Sequence, residues 1–178
     1  MDLFEIIDHT EKHIGKVVNL VIDKVKYSSG HVEIREVIEH SGGSAVIGVL
    51  PNNEIIMIKQ HRYPINKFIY ELPAGKLNKD EDPLDCAKRE FEEETGYSAN
   101  LWQKLSSFYT SPGYSDEIIN VYLAKDLKEG LQRLEPGESH LTIEKMNLDI
   151  ALEKISNGEI NDSKTIIGIL IYNNLLLK

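Results

Sequence analysis

The stretch GKLNKDEDPLDCAKREFEEETGY, residues 75–97, decides the fold of this protein. Asp82 followed by Pro83 predicts the start of a helix, because Asp accepts bonds from free backbone N–H groups and Pro fits the first helical position. Gly96 predicts its end, since glycine readily adopts the left-handed conformation that follows a helix. The sequence therefore predicts one helix between these signals.

This predicted helix has an apolar face and an acidic strip. Leu84, Ala87 and Phe91 recur at helical spacing and should pack against a sheet. The neighbouring strip consists of Glu90, Glu93 and Glu94. Like charges three and four residues apart repel, so a purely structural helix gains nothing from this arrangement.

A divalent metal ion would remove that repulsion. Arg89 can pair with Glu93 at i+4, which leaves Glu90 and Glu94 uncompensated. Mg²⁺ prefers a few carboxylates together with water and substrate phosphate oxygens. A solvent-exposed acidic helix is the alternative for an isolated run of glutamates.

Composition narrows the possible functions. The length of 178 residues indicates one main domain. The formal net charge of −9 argues against nucleic acid as the principal partner, because phosphate backbones are bound by Lys and Arg. Cys86 is the only cysteine, so a reducing compartment is expected. Neither a signal-peptide apolar region nor a stretch long enough to span a bilayer is found. We therefore expect a cytoplasmic protein without a membrane partner.

The remaining sequence predicts an α+β fold. Residues 130–141 read as a loop, and helices are expected at Leu148–Asn157 and from Asp162 or Ser163 to about Leu176. β-Branched and alternating runs predict strands at 17–25, 31–38, 45–50, 54–60, 68–72, 101–109 and 118–124.

The first two of these strands form a predicted N-terminal antiparallel hairpin. Gly30 marks the turn between them, and Ser41-Gly42-Gly43 ends the pattern. We expect two regions: residues 1–40 with the hairpin, and residues 41–178 with the catalytic fold.

The spacing of residues 75–97 resembles the Nudix box. Gly75, Glu81, Arg89-Glu90 and Glu93-Glu94 stand at its fixed positions, together with Phe91, Gly96 and Tyr97. The chain is thereby identified as resembling a Nudix hydrolase. The resemblance implies an α/β/α sandwich with a mixed sheet. It also implies Mg²⁺-dependent hydrolysis, with Mn²⁺ as a substitute, of a nucleoside diphosphate linked to another group.

The same resemblance implies roles for residues of the box. Glu90 and Glu94 are the expected principal metal ligands, and Glu93 is a ligand or close catalytic partner. The backbone carbonyl of Ala74 is a further expected ligand. Arg89 is expected to orient the glutamates.

Residues outside the box resemble the ADP-ribose pyrophosphatase branch of the family. Pro112 lies 15 residues past Tyr97, in a loop that also contains Ser115, and both are expected to bind substrate. Arg62 is expected to contact phosphate, because arginine gives planar bidentate contacts with phosphate oxygens. Glu71 is expected to contact the nucleobase or its ribose. The alternatives are a simple Pro-Gly turn and a surface ion pair.

A loop glutamate often serves as general base in that branch. Glu138 is the first candidate and Glu135 the second, and an ordinary exposed loop remains the alternative. Pro136-Gly137 would let the loop close over substrate. Members of the branch are commonly dimers joined through N-terminal hairpins, so a homodimer is expected.

The expected reaction is hydrolysis of a nucleoside diphosphate sugar, ADP-ribose giving AMP and ribose 5-phosphate. The alternatives are GDP-mannose, a dinucleoside polyphosphate or an oxidised nucleoside triphosphate, the last two disfavoured by the residues around Arg62 and Pro112. A non-catalytic nucleotide-sugar sensor is the alternative from another class.

Overall fold

The computed structural model of the chain describes residues 3–177. These residues form two compact units. The smaller unit contains the chain up to Gly42 together with Tyr109–Ile118, and the larger contains Gly43–Phe108 and the chain from Ile119 onward.

The smaller unit contains a three-stranded antiparallel sheet in chain order. Its strands are β1 (Phe4–Ile14), β2 (Asn19–Tyr27) and β3 (Val32–Glu39). The predicted hairpin is confirmed as β2 and β3, and β1 extends it.

The sequence did not predict β1, and its pairing explains why. The register with β2 shifts between Ile6 and Asp8 and again between Glu11 and His13. Such irregularities change which face each side chain takes, so the alternation that marks a strand is lost.

The larger unit contains a mixed sheet of seven strands. They are β4 (Gly43–Val49), β5 (Glu54–Arg62), β6 (Lys67–Glu71), β7 (Ala74–Lys76), β8 (Tyr97–Tyr109), β9 (Ile118–Glu129) and β10 (Thr142–Asn147). Their order is β10-β5-β4-β9-β8, with β6 beside β5 and β7 beside β4. Strands β4 and β9 run parallel, and β4 pairs antiparallel with β5 and β7.

Three α-helices form where the sequence predicts them. They are α1 (Pro83–Thr95), α2 (Leu148–Ser156) and α3 (Ser163–Leu176). The Asp82 carboxylate accepts the Leu84 N–H at 2.8 Å, and Gly96 follows α1 with φ 73°. Both ends of α1 are therefore confirmed. Asp162 caps α3 by accepting the Thr165 N–H at 3.0 Å.

The central strand β4 places apolar residues on both faces of the sheet. Ala45 and Ile47 join the core cluster that includes residues of α2 and α3. Val46 points the other way and packs with Ala87 and Phe91 of α1. The predicted α/β/α sandwich is thus confirmed, and α1 lies against one face of the sheet.

Strands β7 and β10 were not predicted. The first has three residues, which are too few to show an alternating pattern. The second is TIEKMN, an edge strand paired with β5 whose apolar residues are too few to mark a strand. Within residues 3–177, no helix combines the length and apolarity needed to cross a bilayer.

Candidate active site

A polar cavity of about 440 Å³ opens in the larger unit between α1, β5, β7 and the loop before β10. It brings together Arg62, Ala74, Arg89, all three glutamates of the strip, and both candidate bases. Its lining is Gln60, Arg62, Ala74, Gly75, Lys76, Asn78, Arg89, Glu90, Glu93, Glu94, Glu135 and Glu138.

Glu94 is the most deeply buried of the acidic strip, with 2% of its surface exposed. One carboxylate oxygen accepts the Ala74 N–H at 2.8 Å. Burial raises the pKa of Glu94 well above its usual range, and the nearby charges of Glu90 and Glu138 add to this rise. A carboxylate in such a place needs a positive charge beside it to remain ionised.

Glu90 lies directly over Gly75, where any side chain would overlap its carboxylate. Arg89 Nη1 donates to Glu90 at 2.6 Å and to Glu93 at 3.2 Å. The expectation that Glu90 stands uncompensated was therefore wrong. Burial nevertheless raises the pKa of Glu90 despite the hydrogen bond from Arg89.

Arg89 is the hub of this cluster. Its Nε and Nη2 donate to the two oxygens of Glu81 at 2.8 and 2.9 Å. The Glu81 carboxylate also accepts the Asn78 N–H at 2.8 Å, which fixes the loop before α1. These bonds raise the pKa of Arg89, so it stays charged. One guanidinium thus contacts three carboxylates, and the wall of the cavity keeps an excess of negative charge.

The residues present fit a hard divalent cation. Within residues 3–177, no three His, Cys, Asp or Glu side chains are arranged to hold one ion by themselves. Mg²⁺ does not require such a cage, because it commonly uses one or two carboxylates with water and substrate phosphate. Buried Glu94 and partly buried Glu90 offer these carboxylates beside the Ala74 backbone. The roles of Glu93 and of the Ala74 carbonyl remain predictions.

The two candidate bases flank a short 3₁₀ turn, Pro136–Glu138: Glu138 is its last residue, and Glu135 caps its start. The Glu138 carboxylate accepts the Glu135 N–H at 3.0 Å, and Glu135 accepts the Glu138 N–H in return. This reciprocal bonding fixes both side chains at the cavity.

The loop is anchored to the end of α1. Gln132 Nε2 donates to the Glu94 carbonyl at 2.6 Å, and the Arg133 N–H donates to the Glu93 carbonyl at 2.9 Å. A side chain on Gly96 would lie 2.9 Å from Gln132 N, and one on Gly130 would lie 2.9 Å from the Gly96 carbonyl oxygen. The loop can approach the helix only because both positions are glycine.

Arg62 and Glu71 form a bidentate ion pair. Arg62 Nε and Nη2 each donate to a Glu71 oxygen at 2.6 Å. Arg62 remains 42% exposed and lines the cavity, but the Glu71 side chain has no exposed surface. A contact between Glu71 and substrate stays a prediction; in this arrangement its carboxylate contacts Arg62.

Pro112 and Ser115 belong to the smaller unit. The loop is a hydrogen-bonded turn in which the Ser115 N–H donates to the Ser111 carbonyl at 3.0 Å. Ser115 lines a separate cavity of about 290 Å³, whose lining does not include Pro112. The other lining residues are Val17, Val18, Ile38, His40, Thr110, Ser111, Tyr114 and Glu117. Substrate binding by this loop remains a prediction.

Sequence reasoning missed two residues with contacts at or behind the cavity. Gln132 bonds the loop that carries Glu135 and Glu138 to the end of α1, and Lys164 contacts the buried Glu71 carboxylate. No local pattern identifies Gln132. The one signal for Lys164 is its position in the first turn of a helix, where a cation is electrostatically unfavourable.

Comparisons with known proteins agree with this geometry. The NUDIX domain model matches residues 41–165. A methanol dehydrogenase activator from Bacillus methanolicus is 46% identical over 157 residues, covering 87% of this chain and 84% of the relative. An ADP-ribose pyrophosphatase from Bacillus subtilis (strain 168) is 41% identical over 152 residues, covering 85% and 82%.

A solved structure has the same fold. The crystal structure of an ADP compounds hydrolase superimposes with a TM-score of 0.85 over 99% of this chain and 95% of that one, at 18% identity. Fold and site together define an α/β/α sandwich whose glutamate helix borders a polar cavity of about 440 Å³. The chain belongs to the NUDIX family.

Proposed function

We propose that this protein hydrolyses the diphosphate linkage of a nucleoside diphosphate sugar, with ADP-ribose as substrate and AMP and ribose 5-phosphate as products. One observation carries the proposal: the buried carboxylate of Glu94, the partly buried carboxylate of Glu90 and the guanidinium of Arg62 line the same cavity. The pyrophosphatase relative from Bacillus subtilis supports the choice of ADP-ribose.

Each group has a part in this reaction. Glu90 and Glu94 would hold a divalent ion such as Mg²⁺ or Mn²⁺, which would supply positive charge to the diphosphate and acidify water. Arg89 keeps Glu90 and Glu93 in place. Arg62 presents its N–H groups to phosphate oxygens. Glu138 accepts a proton from the attacking water, with Glu135 as the other candidate.

A substrate panel tests the function. Purified protein is incubated with ADP-ribose, GDP-mannose, a dinucleoside polyphosphate and an oxidised nucleoside triphosphate, with Mg²⁺, with Mn²⁺ or with chelator. We expect AMP to be released from ADP-ribose with the highest kcat/KM, and release to stop in chelator. Stronger cleavage of GDP-mannose would reassign the sugar nucleotide, and binding without turnover would support the sensor alternative.

Glu138→Gln should lower kcat by about a hundredfold with little change in metal affinity, because it removes a proton acceptor and keeps the shape. Steady-state kinetics and calorimetric titration with Mn²⁺ measure the two effects. Glu135→Gln is the matched comparison on the same turn. If only Glu135→Gln lowers kcat, the base is Glu135; if neither does, the loop supplies no base.

A second candidate function is activation of a dehydrogenase. The 46% identical relative from Bacillus methanolicus is named as a methanol dehydrogenase activator. Adding the protein and its Glu94→Gln variant to a methanol dehydrogenase assay tests this candidate: activation by both proteins indicates binding alone, and activation by the unsubstituted protein alone indicates that hydrolysis is needed.

We also propose a homodimer formed through β1. This strand is one edge of its sheet, and ten of its eleven residues are exposed, Phe4, Ile6 and Ile14 among them. A long exposed edge strand presents unpaired backbone groups that can pair with another chain. Equilibrium sedimentation should give twice the mass of one chain, and a mass near one chain would exclude the dimer. A cytoplasmic location also remains a proposal, based on the single cysteine.

A further inference from the structure

A buried ion cluster lies behind the cavity, where β6 ends and α3 begins. The Glu71 carboxylate is at its centre and has no exposed surface. Besides the two bonds from Arg62, it accepts one from the Lys164 ammonium group. Lys164 is the second residue of α3 and stands 93 positions away from Glu71 in the chain.

The first turn of α3 is fixed against the end of β6. Lys164 Nζ also contacts Asp162 Oδ1 at 3.0 Å. Thr165 Oγ1 donates to the Asp162 carboxylate at 2.6 Å and accepts the Leu72 N–H at 2.9 Å. A side chain on Gly168 would lie 2.7 Å from Leu72 Cδ1, so helix and strand are in close contact. These contacts hold Lys164 beside Glu71.

Two cations share one carboxylate in this cluster. Burial alone would raise the pKa of Glu71, but Arg62 and Lys164 outweigh burial and hold its pKa below the usual range. A buried carboxylate with a single partner is costly, because desolvation can exceed the attraction within one pair. Lys164 therefore helps to keep Glu71 ionised and in position under Arg62.

The state of Glu71 decides what Arg62 can offer to a substrate. A guanidinium has five N–H groups, and the pair with Glu71 uses Nε and one N–H of Nη2. The two N–H groups of Nη1 and the second of Nη2 remain for a ligand in the cavity that Arg62 lines. If Arg62 were the only cation beside Glu71, the Glu71 carboxylate would cancel the positive charge of Arg62. Because Lys164 also neutralises Glu71, Arg62 keeps more of its positive charge.

We propose that Lys164 is a positioning residue of this site, which holds Glu71 so that Arg62 keeps three N–H groups and its positive charge directed at the substrate diphosphate. The inference rests on the proposed function, since it requires a diphosphate in the cavity. Lys164 does not itself contact the substrate, because it is 12% exposed, does not line the cavity, and is bonded to Glu71 and Asp162.

Lys164→Met tests the proposal. We expect KM for ADP-ribose to rise about tenfold while kcat changes by less than about twofold, because Arg62 contacts the diphosphate in ground state and transition state alike. Lys164→Arg keeps the charge and should restore KM to within about threefold of its original value. Lys154→Met is the matched control, because Lys154 lies on neighbouring α2 and pairs with Glu159 beyond the end of that helix. It should leave KM and kcat unchanged.

A double-mutant cycle with Glu71→Gln separates positioning from other roles. Glu71→Gln leaves no buried charge for Lys164 to compensate, so adding Lys164→Met to it should not raise KM further. The double variant also avoids a buried carboxylate that only Arg62 neutralises, so we expect it to fold even if Lys164→Met alone does not. An equal rise in KM with and without Glu71→Gln would overturn the proposal, as would an unchanged KM in Lys164→Met.

Failure of the proposed function gives a different result. If the unsubstituted protein cleaves another diphosphate of the panel, the same variants are compared on that substrate. If it binds ADP-ribose with Mg²⁺ but does not cleave it, calorimetry replaces kinetics. Lys164→Met should then raise the dissociation constant about tenfold. An unchanged constant would reject the role of Lys164 independently of catalysis.

Discussion

Glu94→Gln is expected to lower turnover of ADP-ribose by about a thousandfold or more at saturating Mg²⁺, which corresponds to about 4 kcal/mol of barrier. The amide keeps the shape and can still accept the Ala74 N–H, but it lacks the charge that holds a divalent ion. Steady-state kinetics and titration with Mn²⁺ measure the loss. Asp85→Asn, an equal charge change at an exposed site on α1, should cost almost nothing.

The same variant should be more stable than the parent without metal. The folded-state pKa of Glu94 lies well above its ordinary value, so the folded protein binds a proton more tightly than the unfolded chain does. The stabilisation that the protonated Glu94 gives to the folded state is fully present below the ordinary glutamate pKa, and it is lost as pH rises through the raised pKa. Thermal melts in chelator should show this decline in the parent and a flatter profile in Glu94→Gln. Identical profiles would contradict the assigned burial.

Gly75→Ala is expected to weaken Mn²⁺ binding about tenfold to a hundredfold and to lower turnover by at least as much. An added methyl group would occupy the space of the Glu90 carboxylate. The backbone can accept alanine there, since Gly75 is not among the residues with positive φ. The flexible end of Glu90 must therefore move, so the metal site should suffer while the fold persists.

Thermal unfolding and Mn²⁺ titration separate these effects. Gly137→Ala is the matched control, because its added methyl would meet nothing within 4 Å. It should leave metal affinity unchanged. Native metal affinity in Gly75→Ala would mean that Glu90 does not ligate from the position over Gly75.

Local signals explain which parts of the fold were predictable. The Asp82-Pro83 and Gly96 signals act within one turn of backbone, and both ends of α1 followed from them. Strands β4 and β5 are apolar runs on either side of a turn in which Asn53 takes φ 64°, so they were also recognisable. By contrast, β1, β7 and β10 depend on the strands they pair with, and their own residues carry little pattern.

In the site, as in the fold, contacts set by local spacing were predictable and contacts set by the packing of distant segments were not. The spacing of the acidic strip predicted which carboxylates gather at the cavity, because helix geometry alone places them together. It could not predict that Arg89 would bond Glu90, since that depends on where the loop before α1 returns. The contact of Lys164 with Glu71 depends on how α3 packs against β6, which no local pattern encodes.

The loop of residues 130–141 has two parts: a root, residues 130–133, that is bonded to the end of α1, and a tip, residues 134–141, that carries Glu135 and Glu138. Gly96 and Gly130 bring two backbones into contact, and Gln132 and Arg133 hold the root to the helix carbonyls. Beyond Arg133, the turn that carries Glu138 is held by bonds within itself. The tip can therefore be exchanged or lengthened without disturbing the bonds that hold α1 to the rest of the loop.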